Sequence, residues 1–172
     1  MKVLVTGGAG FIGSHLVTGL LEQGCSVRVL DSFATGSKAN LAHVRDSVEL
    51  IDGCVTDRAA AARAVRGCDA VFHQAALPSV ARSLQDPLAS NDANVTGTLT
   101  MLVAARDAEV RRFVYAGSSS AYGSNPALPK HEDMSAVPKS PYAVAKLAGE
   151  QYCRVFGQLF ELETVCLRYF NV

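Results

Sequence analysis

An α/β domain with a doubly wound parallel sheet is predicted by three features of the sequence. Short runs of β-branched residues alternate with longer segments of helical periodicity along the chain. Connections of that length join parallel strands by crossovers, which place helices on both faces of the sheet. A glycine-rich turn follows the first strand and opens the first helix, as in a Rossmann-like unit. The 172 residues suffice for one such domain, so we interpret 1–172 as a single dinucleotide-binding domain.

The first half of the chain supplies three strands and two helices. KVLVT at 2–6 predicts a buried strand, because it is short, β-branched and followed by a glycine pair. Apolar residues at helical spacing predict a helix over 11–23. SVRVL at 26–30 predicts the second strand, and the apolar run at 48–51 predicts the third. The alanine-rich segment 59–65 predicts a second helix.

The second half repeats the alternation. AVFH at 70–73 predicts a fourth strand, and a long helix is predicted over 87–107, beginning at a proline. RFVYA at 112–116 predicts a fifth strand. A helix over 141–160 and a sixth strand over 162–168 complete the pattern. The helices and strands are therefore in the order that a parallel sheet requires.

Two long connections, 74–86 and 117–140, each follow a strand at its carboxyl end. The carboxyl ends of the strands form the edge at which open α/β sheets bind ligands. The second connection is rich in Pro, Ser and Gly, which predicts an irregular but ordered surface segment. We therefore expect the ligand site at this edge of the sheet.

Charge and cysteine content exclude several classes of protein. Sixteen Lys and Arg residues balance sixteen Asp and Glu residues, so no general attraction to nucleic acid or an anionic membrane is expected. No stretch approaches the ~18 apolar residues of a membrane span. The five cysteines are scattered without a C-x-x-C pair, and the histidines have no metal-binding spacing, so no metal site or disulfide framework is predicted. The reducing cytoplasm is the expected location.

The glycine-rich turn reads GGAGFIG over residues 7–13 and contains the pattern G-x-G-x-x-G between a strand and a helix. Gly7 and Gly10 permit a tight turn and a close approach of the backbone, while Gly13 lets the helix pack closely on the sheet. The helix starts at Phe11 and Ile12, where free N–H groups predict a binding site for a pyrophosphate. A glycine turn needed only for packing is the alternative interpretation.

Asp31 follows the second predicted strand, where a carboxylate can accept hydrogen bonds from both hydroxyls of an adenosine ribose. The same charge would repel the 2′-phosphate of NADP. NAD is therefore the predicted cofactor, with an affinity at least about tenfold above that of NADP, or about 1.4 kcal/mol. An aspartate after a strand is also a common helix cap or turn residue, which is the alternative.

Tyr142 and Lys146 stand one helical turn apart, so both side chains project from one face of a helix. A phenol with a pKa near ~10 is a poor base at neutral pH. A nearby ammonium, together with the positive nicotinamide of NAD, would stabilise its phenolate. Ser118 follows the fifth strand at the same edge and could bind the substrate oxygen that gains or loses a proton. Each feature alone is also typical of an amphipathic helix or a turn, but together they predict a proton-transfer site.

Several longer motifs occur in one order along the whole chain. They are TGGAGFIG at 6–13, Asp31, HQAA at 73–76, NVTGT at 94–98, SSSAYG at 118–123, SPYAVAK at 140–146 and LRYFN at 167–171. With them the sequence resembles the extended short-chain dehydrogenase/reductase superfamily, in particular its nucleotide-sugar epimerases. HQAALPSVARS at 73–83 and SSSAYG most resemble the UDP-N-acetylglucosamine 4-epimerases, with the UDP-glucose 4-epimerases as close neighbours.

The resemblance implies a role for each matching residue. Tyr142 would be the general base, Lys146 would lower its pKa and bind the nicotinamide ribose, and Ser118 would be the catalytic hydroxyl, with Ser119 as a second candidate. Further cofactor contacts are implied for Val55, Ala75, Ala76, Asn94 and Phe170. Substrate contacts are implied for Ser79, Arg82, Ser118, Ser119 and Asn171. His73, at a strand end, is interpreted as a packed, hydrogen-bonded residue.

The activity implied is NAD-dependent inversion of C4 of a UDP-sugar through a transient 4-keto sugar, with NAD kept bound throughout. A nucleotide-sugar 4-reductase or decarboxylase of the same superfamily is one alternative, and a lobe that only binds NAD is another. Dehydration is disfavoured, because the related 4,6-dehydratases need an acidic pair where this chain has Ser119 and Ser120. Family members commonly pair through the helices that match 87–107 and 141–160, so a homodimer is expected.

Two departures from the family pattern affect these expectations. Cys54 stands where the family usually has an acidic residue near adenine, which predicts weaker adenine affinity, although Val55 can still pack on the ring. Family members run to about twice this length and carry a second lobe for the nucleotide and sugar, and this sequence stops at the strand before it. We therefore expect the 172-residue chain to bind NAD weakly or moderately, to epimerise UDP-sugars negligibly, and to associate with copies of itself.

Overall fold

The sheet has six parallel strands in the order β3-β2-β1-β4-β5-β6 in the computed structural model, which describes residues 1–172. The strands are β1 (Lys2–Thr6), β2 (Ser26–Asp31), β3 (Val48–Asp52), β4 (Ala70–His73), β5 (Arg112–Ser118) and β6 (Glu163–Tyr169). This strand order is that of the doubly wound Rossmann fold, in which the chain reverses direction across the sheet between β1 and β4. The doubly wound parallel sheet predicted from the sequence is confirmed.

Six α-helices cover the two faces of the sheet. They are α1 (Phe11–Glu22), α2 (Arg58–Val65), α3 (Val80–Gln85), α4 (Pro87–Asn91), α5 (Gly97–Asp107) and α6 (Pro141–Leu159). Side-chain caps define several starts: the carboxylate of Asp57 accepts the N–H of Ala59 at 2.8 Å, and Ser140 Oγ accepts the N–H of Ala143 at 3.1 Å. None of these helices combines the length and apolar character needed to cross a membrane.

The helix predicted over 87–107 has a wide turn in its middle. Residues Asp92–Thr96 form a π-helical turn between α4 and α5. The side chain of Asn94, within that turn, forms two hydrogen bonds with the backbone of Leu77. The connection predicted over 74–86 contains α3, which Ser79 caps by accepting the N–H of Arg82 at 3.3 Å. Two short 3₁₀ segments, Lys38–Ser47 and Ser119–Tyr122, were also not predicted.

Two apolar cores lie on opposite faces of the sheet, because successive strand residues point to opposite faces. The larger core contains Leu4, Phe113 and Tyr115 beneath α2, α5 and α6. The smaller one contains Val5 and Val29 beneath α1. All five side chains have at most 1 % of their surface exposed. The sheet is therefore a rigid platform, and its carboxyl edge holds the candidate site.

Candidate active site

A cavity of about 1340 Å³ lies at the carboxyl edge of the sheet. It is next to the neighbouring strands β1 and β4, between which the strand order reverses. Most residues predicted for the site line it, and they come from both halves of the fold. They are Gly7, Gly10, Phe11, Ile12, Gly13, Asp31, Val55, Ala75, Ala76, Ser79, Ser118, Ser119, Tyr142, Lys146, Phe170 and Asn171. Asn94 and Arg82 are not among the lining residues. The cofactor and substrate contacts assigned to these residues stay predictions.

The glycine loop between β1 and α1 has no room for side chains. Gly7 has φ +67°, and a Cβ there would lie 2.7 Å from the backbone nitrogen of Ala75. A Cβ on Gly13 would collide with the carbonyl oxygen of Gly7. The N–H groups of Phe11, Ile12 and Gly13 have no partner within the chain and begin the helix. Free donors at a positive helix end fit the diphosphate of a dinucleotide, so the loop fits NAD.

Two side chains and one backbone N–H on one flank hold Ala9, in the middle of this loop. The carboxylate of Asp31 accepts the Ala9 N–H at 2.8 Å, and the amide of Asn40 donates to the Ala9 carbonyl at 2.8 Å. The backbone N–H of Ser37 donates to the same carbonyl at 3.0 Å. Ser37 and Asn40 were not predicted from the sequence. The Gly36-Ser37 pair is typical of a turn, but nothing in the sequence indicates that this turn contacts the glycine loop. Both the backbone N–H and the carbonyl oxygen of Ala9 therefore have hydrogen-bond partners.

Asp31 forms a second hydrogen bond within the chain: its other carboxylate oxygen accepts the N–H of Phe33 at 2.8 Å. Its side chain is buried but lines the cavity. A carboxylate oxygen can accept more than one hydrogen bond, so both oxygens keep a lone pair for an incoming hydroxyl. The geometry is compatible with the predicted ribose contact and also explains the residue as a turn cap.

The opposite flank of the loop is held by a buried histidine. Thr98 donates its hydroxyl to the carbonyl of Asn94 at 2.8 Å, so its oxygen accepts from Nε2 of His73 at 3.1 Å. Nδ1 of His73 then accepts the hydroxyl proton of Thr6 at 2.8 Å, and Thr6 accepts the N–H of Ala75 at 3.2 Å. Burial lowers the pKa of His73 to about 3, so the ring stays neutral. His73 is thus the packed, hydrogen-bonded residue that the sequence predicted.

Asn94 supports the cavity wall from behind. Its side-chain oxygen accepts the N–H of Leu77 at 2.8 Å, and its nitrogen donates to the Leu77 carbonyl at 3.0 Å. Only 1 % of its surface is exposed. Asn94 therefore positions the backbone of the residues that follow Ala76, which do line the cavity.

The proton-transfer group is assembled by β5 and α6. Small residues of α6 face β5, and Gly149 is required there because a Cβ would collide with the hydroxyl of Tyr115. The close approach brings Lys146 Nζ to 2.8 Å from the carbonyl of Ala116 and to 6.0 Å from the ring centre of Tyr142. Ser118, the last residue of β5, lines the same cavity as Tyr142 and Lys146. The structure thus brings the three residues to one cavity, and their catalytic roles stay predictions.

Burial changes the acidities of this group. It lowers the pKa of Lys146 to about 8 and raises the pKa of Tyr142, an effect that Ser118 offsets in part. The sequence led us to expect that Lys146, together with the positive nicotinamide of bound NAD, stabilises the phenolate of Tyr142. That expectation stays a prediction for the chain with NAD bound; in the chain alone, burial raises the pKa of Tyr142. The sequence could not show how deeply the phenol is buried.

The chain matches one family over nearly its whole length. The family described as "NAD dependent epimerase/dehydratase family" matches residues 3–172. The chain belongs to that family. The glycine loop, the Asp31 flank and the Ser118–Tyr142–Lys146 group are thus seen in a member of the epimerase/dehydratase family, on the fold predicted for it.

Individual relatives have the same fold. The UDP-glucose 4-epimerase of Mycolicibacterium smegmatis is 40% identical over 171 residues, which cover 95% of this chain and 53% of that protein. The UDP-N-acetylglucosamine 4-epimerase of Methanobrevibacter ruminantium M1, solved with UDP-N-acetylmuramic acid, is 36% identical with a TM-score of 0.93 and matches 99% of this chain and 55% of its own. A dTDP-glucose 4,6-dehydratase of Streptomyces venezuelae, solved with NAD, is 37% identical with a TM-score of 0.93 and matches 98% and 55%. The chain spans about half the length of the curated relatives it matches.

The part of the cavity around Ser118 is lined by hydroxyl groups. Ser119 and Ser120 follow Ser118 into the cavity, and Ser120 donates its hydroxyl to Ser118 Oγ at 2.8 Å. Ser79 lies at the rim with a strained φ of +96°, which is uncommon for a residue with a Cβ. This part of the cavity presents hydroxyl groups but no carboxylate beside Ser118.

Proposed function

We propose that residues 1–172 form an NAD-binding domain and that the protein inverts C4 of a UDP-sugar of the UDP-glucose or UDP-N-acetylglucosamine type. One observation carries the proposal: the Ser118–Tyr142–Lys146 group opens into the same cavity as the glycine loop and Asp31. A proton acceptor is thus placed beside a site for a dinucleotide. The epimerases among the relatives support the choice of substrate class.

Each group has a defined task in this reaction. NAD, when bound, supplies the hydride acceptor and donor. The N–H groups of Phe11, Ile12 and Gly13 would hold its diphosphate, and Asp31 would accept hydrogen bonds from its ribose hydroxyls. Ser118 binds and orients the sugar 4-hydroxyl, and Tyr142 takes its proton. The 4-keto sugar then rotates in the site and receives the hydride on its other face. Tyr142 returns the proton to the oxygen at C4.

Lys146 serves this proton transfer through its charge. Its ammonium is anchored on the Ala116 carbonyl and faces the ring of Tyr142. A positive charge favours the phenolate form and so opposes the effect of burial on the pKa of Tyr142. Because burial lowers the pKa of Lys146 itself to about 8, this support weakens as the pH rises through that value.

Inversion is favoured over the sister reactions by the residues around Ser118. A dehydratase shares the fold at a TM-score of 0.93, so the fold does not decide between them. Ser119 and Ser120 offer hydroxyls and no carboxylate for the acid and base work of water elimination. Reduction or oxidative decarboxylation would need net consumption or release of hydride, which gives a direct test.

The test uses a form of the protein with the full length of its relatives, because the 172-residue chain alone is expected to convert UDP-sugars negligibly. This form is supplied with NAD and incubated with UDP-glucose and separately with UDP-N-acetylglucosamine. We expect the 4-epimer of at least one of them to accumulate toward equilibrium without net change in NADH absorbance, because inversion returns the hydride. Chromatography of the sugar nucleotides measures the product. Net NADH formation would indicate an oxidoreductase. NAD binding without any sugar conversion would indicate a protein that binds the cofactor but does not catalyse the reaction. Either result contradicts the proposal.

We also propose that the protein forms a homodimer through α6. Apolar side chains at helical spacing along one face of α6 are exposed, and two leucines on α3 and α4 extend the patch. They are Val144, Tyr152, Val155 and Leu159 with Leu84 and Leu88, exposed by between 37 and 81 %. A contiguous apolar face of this kind is typical of a protein interface. α6 packs beside α3 and α4, which makes the patch continuous.

Sedimentation of single variants tests the dimer. Val155→Lys should shift the protein to the monomer, because it places a charge in the centre of the patch. Leu128→Lys is the matched control, since Leu128 is 82 % exposed and lies outside α6. A wild-type protein that sediments as a monomer, or a Val155→Lys variant with the wild-type mass, contradicts this interface.

The cytoplasm is the location we propose. Cys25, Cys54, Cys68, Cys153 and Cys166 are all free thiols in the structure. Free thiols in that number favour a reducing compartment. The supply of nucleotide sugars and NAD that the proposed reaction requires also fits that location.

A further inference from the structure

Two cysteines lie against each other where α6 packs on β6. Cys153 is in the core with no exposed surface, and Cys166 is half-buried. The Cys166 sulfur packs against the turn of α6 that precedes Cys153, and a helical side chain points back toward the preceding turn, so the two thiols are neighbours. Thr164 donates its hydroxyl to the carbonyl of Cys153 at 2.9 Å, so strand and helix are held together beside the pair. The sulfur of Cys166 also lies 4.0 Å from the carbonyl of Glu150, one turn before Cys153.

Cys166 can be reached from solvent. It lines a second cavity of about 800 Å³ beside β6 and α6, separate from the cofactor cavity. Arg154 and Arg168 line the same cavity, and Arg168 is held there by a two-point ion pair with Glu150, at 2.7 and 2.9 Å. A small oxidant can therefore approach Cys166 from this cavity, while Cys153 stays covered.

We propose that Cys153 and Cys166 form an oxidation site at which a peroxide converts the two thiols into a disulfide. The site joins α6, which carries Tyr142 and Lys146, to β6. Neither cysteine belongs to the proposed proton-transfer group, so this is a second chemistry of the fold.

The two thiols are unequal in the way that such a reaction needs. Cys166 lines the second cavity, whereas Cys153 has no exposed surface. The neighbouring Cys153 thiol lowers the pKa of Cys166, although burial and the charge of Glu150 oppose this effect. The Cys166 thiol and burial raise the pKa of Cys153. Because it is the accessible thiol, Cys166 is the one that attacks, and Cys153 is the covered thiol that resolves the product.

The steps balance. The Cys166 thiolate attacks one peroxide oxygen; the S–O bond forms, the O–O bond breaks, and the leaving hydroxide takes a proton to become water. The Cys153 sulfur then attacks the sulfur of the Cys166 sulfenic acid, the S–S bond forms and the S–O bond breaks. The departing hydroxide takes the Cys153 proton as the second water. Two thiols lose two electrons, and hydrogen peroxide is reduced to two waters.

The other cysteines lack this arrangement. Cys54 is exposed and accepts a hydrogen bond from Thr56 at 3.1 Å, with no second thiol beside it. Cys68 is buried, and burial raises its pKa, which protects it from oxidation. These residues serve as internal controls: Cys54 is an exposed thiol and Cys68 a buried thiol, and neither has a second cysteine beside it.

Peptide mapping tests the proposal on the wild-type chain. Hydrogen peroxide is added to the reduced, folded protein, remaining thiols are alkylated, and the protein is cut with trypsin. Cleavage after Lys146, Arg154 and Arg168 puts the two cysteines in separate peptides, 147–154 and 155–168. We expect these peptides to be joined by a disulfide and the intact chain to lose the mass of two hydrogens. The free thiols should fall from five to three.

Variants separate the pair from single-thiol oxidation. Cys153→Ala should abolish the cross-link and leave Cys166 to gain oxygen atoms, whereas Cys68→Ala, another buried cysteine lost from the same core, should keep the cross-link. Cys166→Ser should abolish both the cross-link and the oxygen gain. The cross-linked wild type should also melt several degrees higher, because the bond closes a loop of the unfolded chain. Recovery of both peptides unlinked, or a cross-link to Cys54, overturns the proposal.

Discussion

Tyr142→Phe should lower the turnover of UDP-sugars by ~10² or more while the fold and NAD binding survive. The substitution removes the phenolic oxygen, which the proposed reaction uses to take and return the proton. It keeps the half-buried ring, so the ring centre stays 6.0 Å from Lys146 Nζ. The Lys146 hydrogen bond to Ala116 does not involve Tyr142. The turnover number should therefore fall with little change in the melting temperature.

The matched control for this variant is Tyr152→Phe. Tyr152 lies on the same helix but is exposed outside the cavity, so its hydroxyl has no part in the reaction. The measurements are the turnover number in a form of the protein that converts UDP-sugar, the NAD dissociation constant and the thermal midpoint. A Tyr142→Phe variant with a near-normal turnover number would remove Tyr142 from the mechanism.

Sequence patterns predicted the sheet well, because they act within a few residues. The run at 2–6 and the run at 70–73 were predicted with the bounds that the structure has for β1 and β4. β5 and β6 begin or end one or two residues from their predicted limits, where strand ends depend on neighbours. The strand order placed the cavity at the predicted edge, since parallel strands bring their carboxyl ends together.

Features that depend on contacts between distant residues were not predicted. The Ala9 peptide is fixed by Asp31 and Asn40, which lie 22 and 31 residues away in sequence. Within the π-helical turn at Asp92–Thr96, Asn94 binds the backbone of Leu77, which lies 17 residues away in sequence, and no local propensity encodes that contact. The pKa of Tyr142 depends on burial, which the spacing of Tyr142 and Lys146 does not show.

The glycine loop has no room for a side chain at Gly13. Gly13→Ala should therefore weaken NAD binding by ~10² or more, or about 2.7 kcal/mol. The added Cβ would collide with the Gly7 carbonyl oxygen, so the loop must move away from the start of α1. Gly7 cannot follow freely, because it has φ +67° and lies against the backbone of Ala75. The free N–H groups of the helix start would then lose the positions that hold a diphosphate.

Gly19→Ala is the matched control in the same helix. A Cβ at Gly19 meets nothing within 4 Å, so the change adds helix propensity of up to ~1 kcal/mol and no strain. Its NAD affinity should equal that of the wild type, with an unchanged or raised thermal midpoint. Gly13→Ala should also lose stability by ~1–3 kcal/mol from overpacking, so calorimetric titration is done well below its melting temperature. Equal NAD affinities in the two variants would mean that the loop does not hold the dinucleotide, and the cofactor half of the proposal would fail.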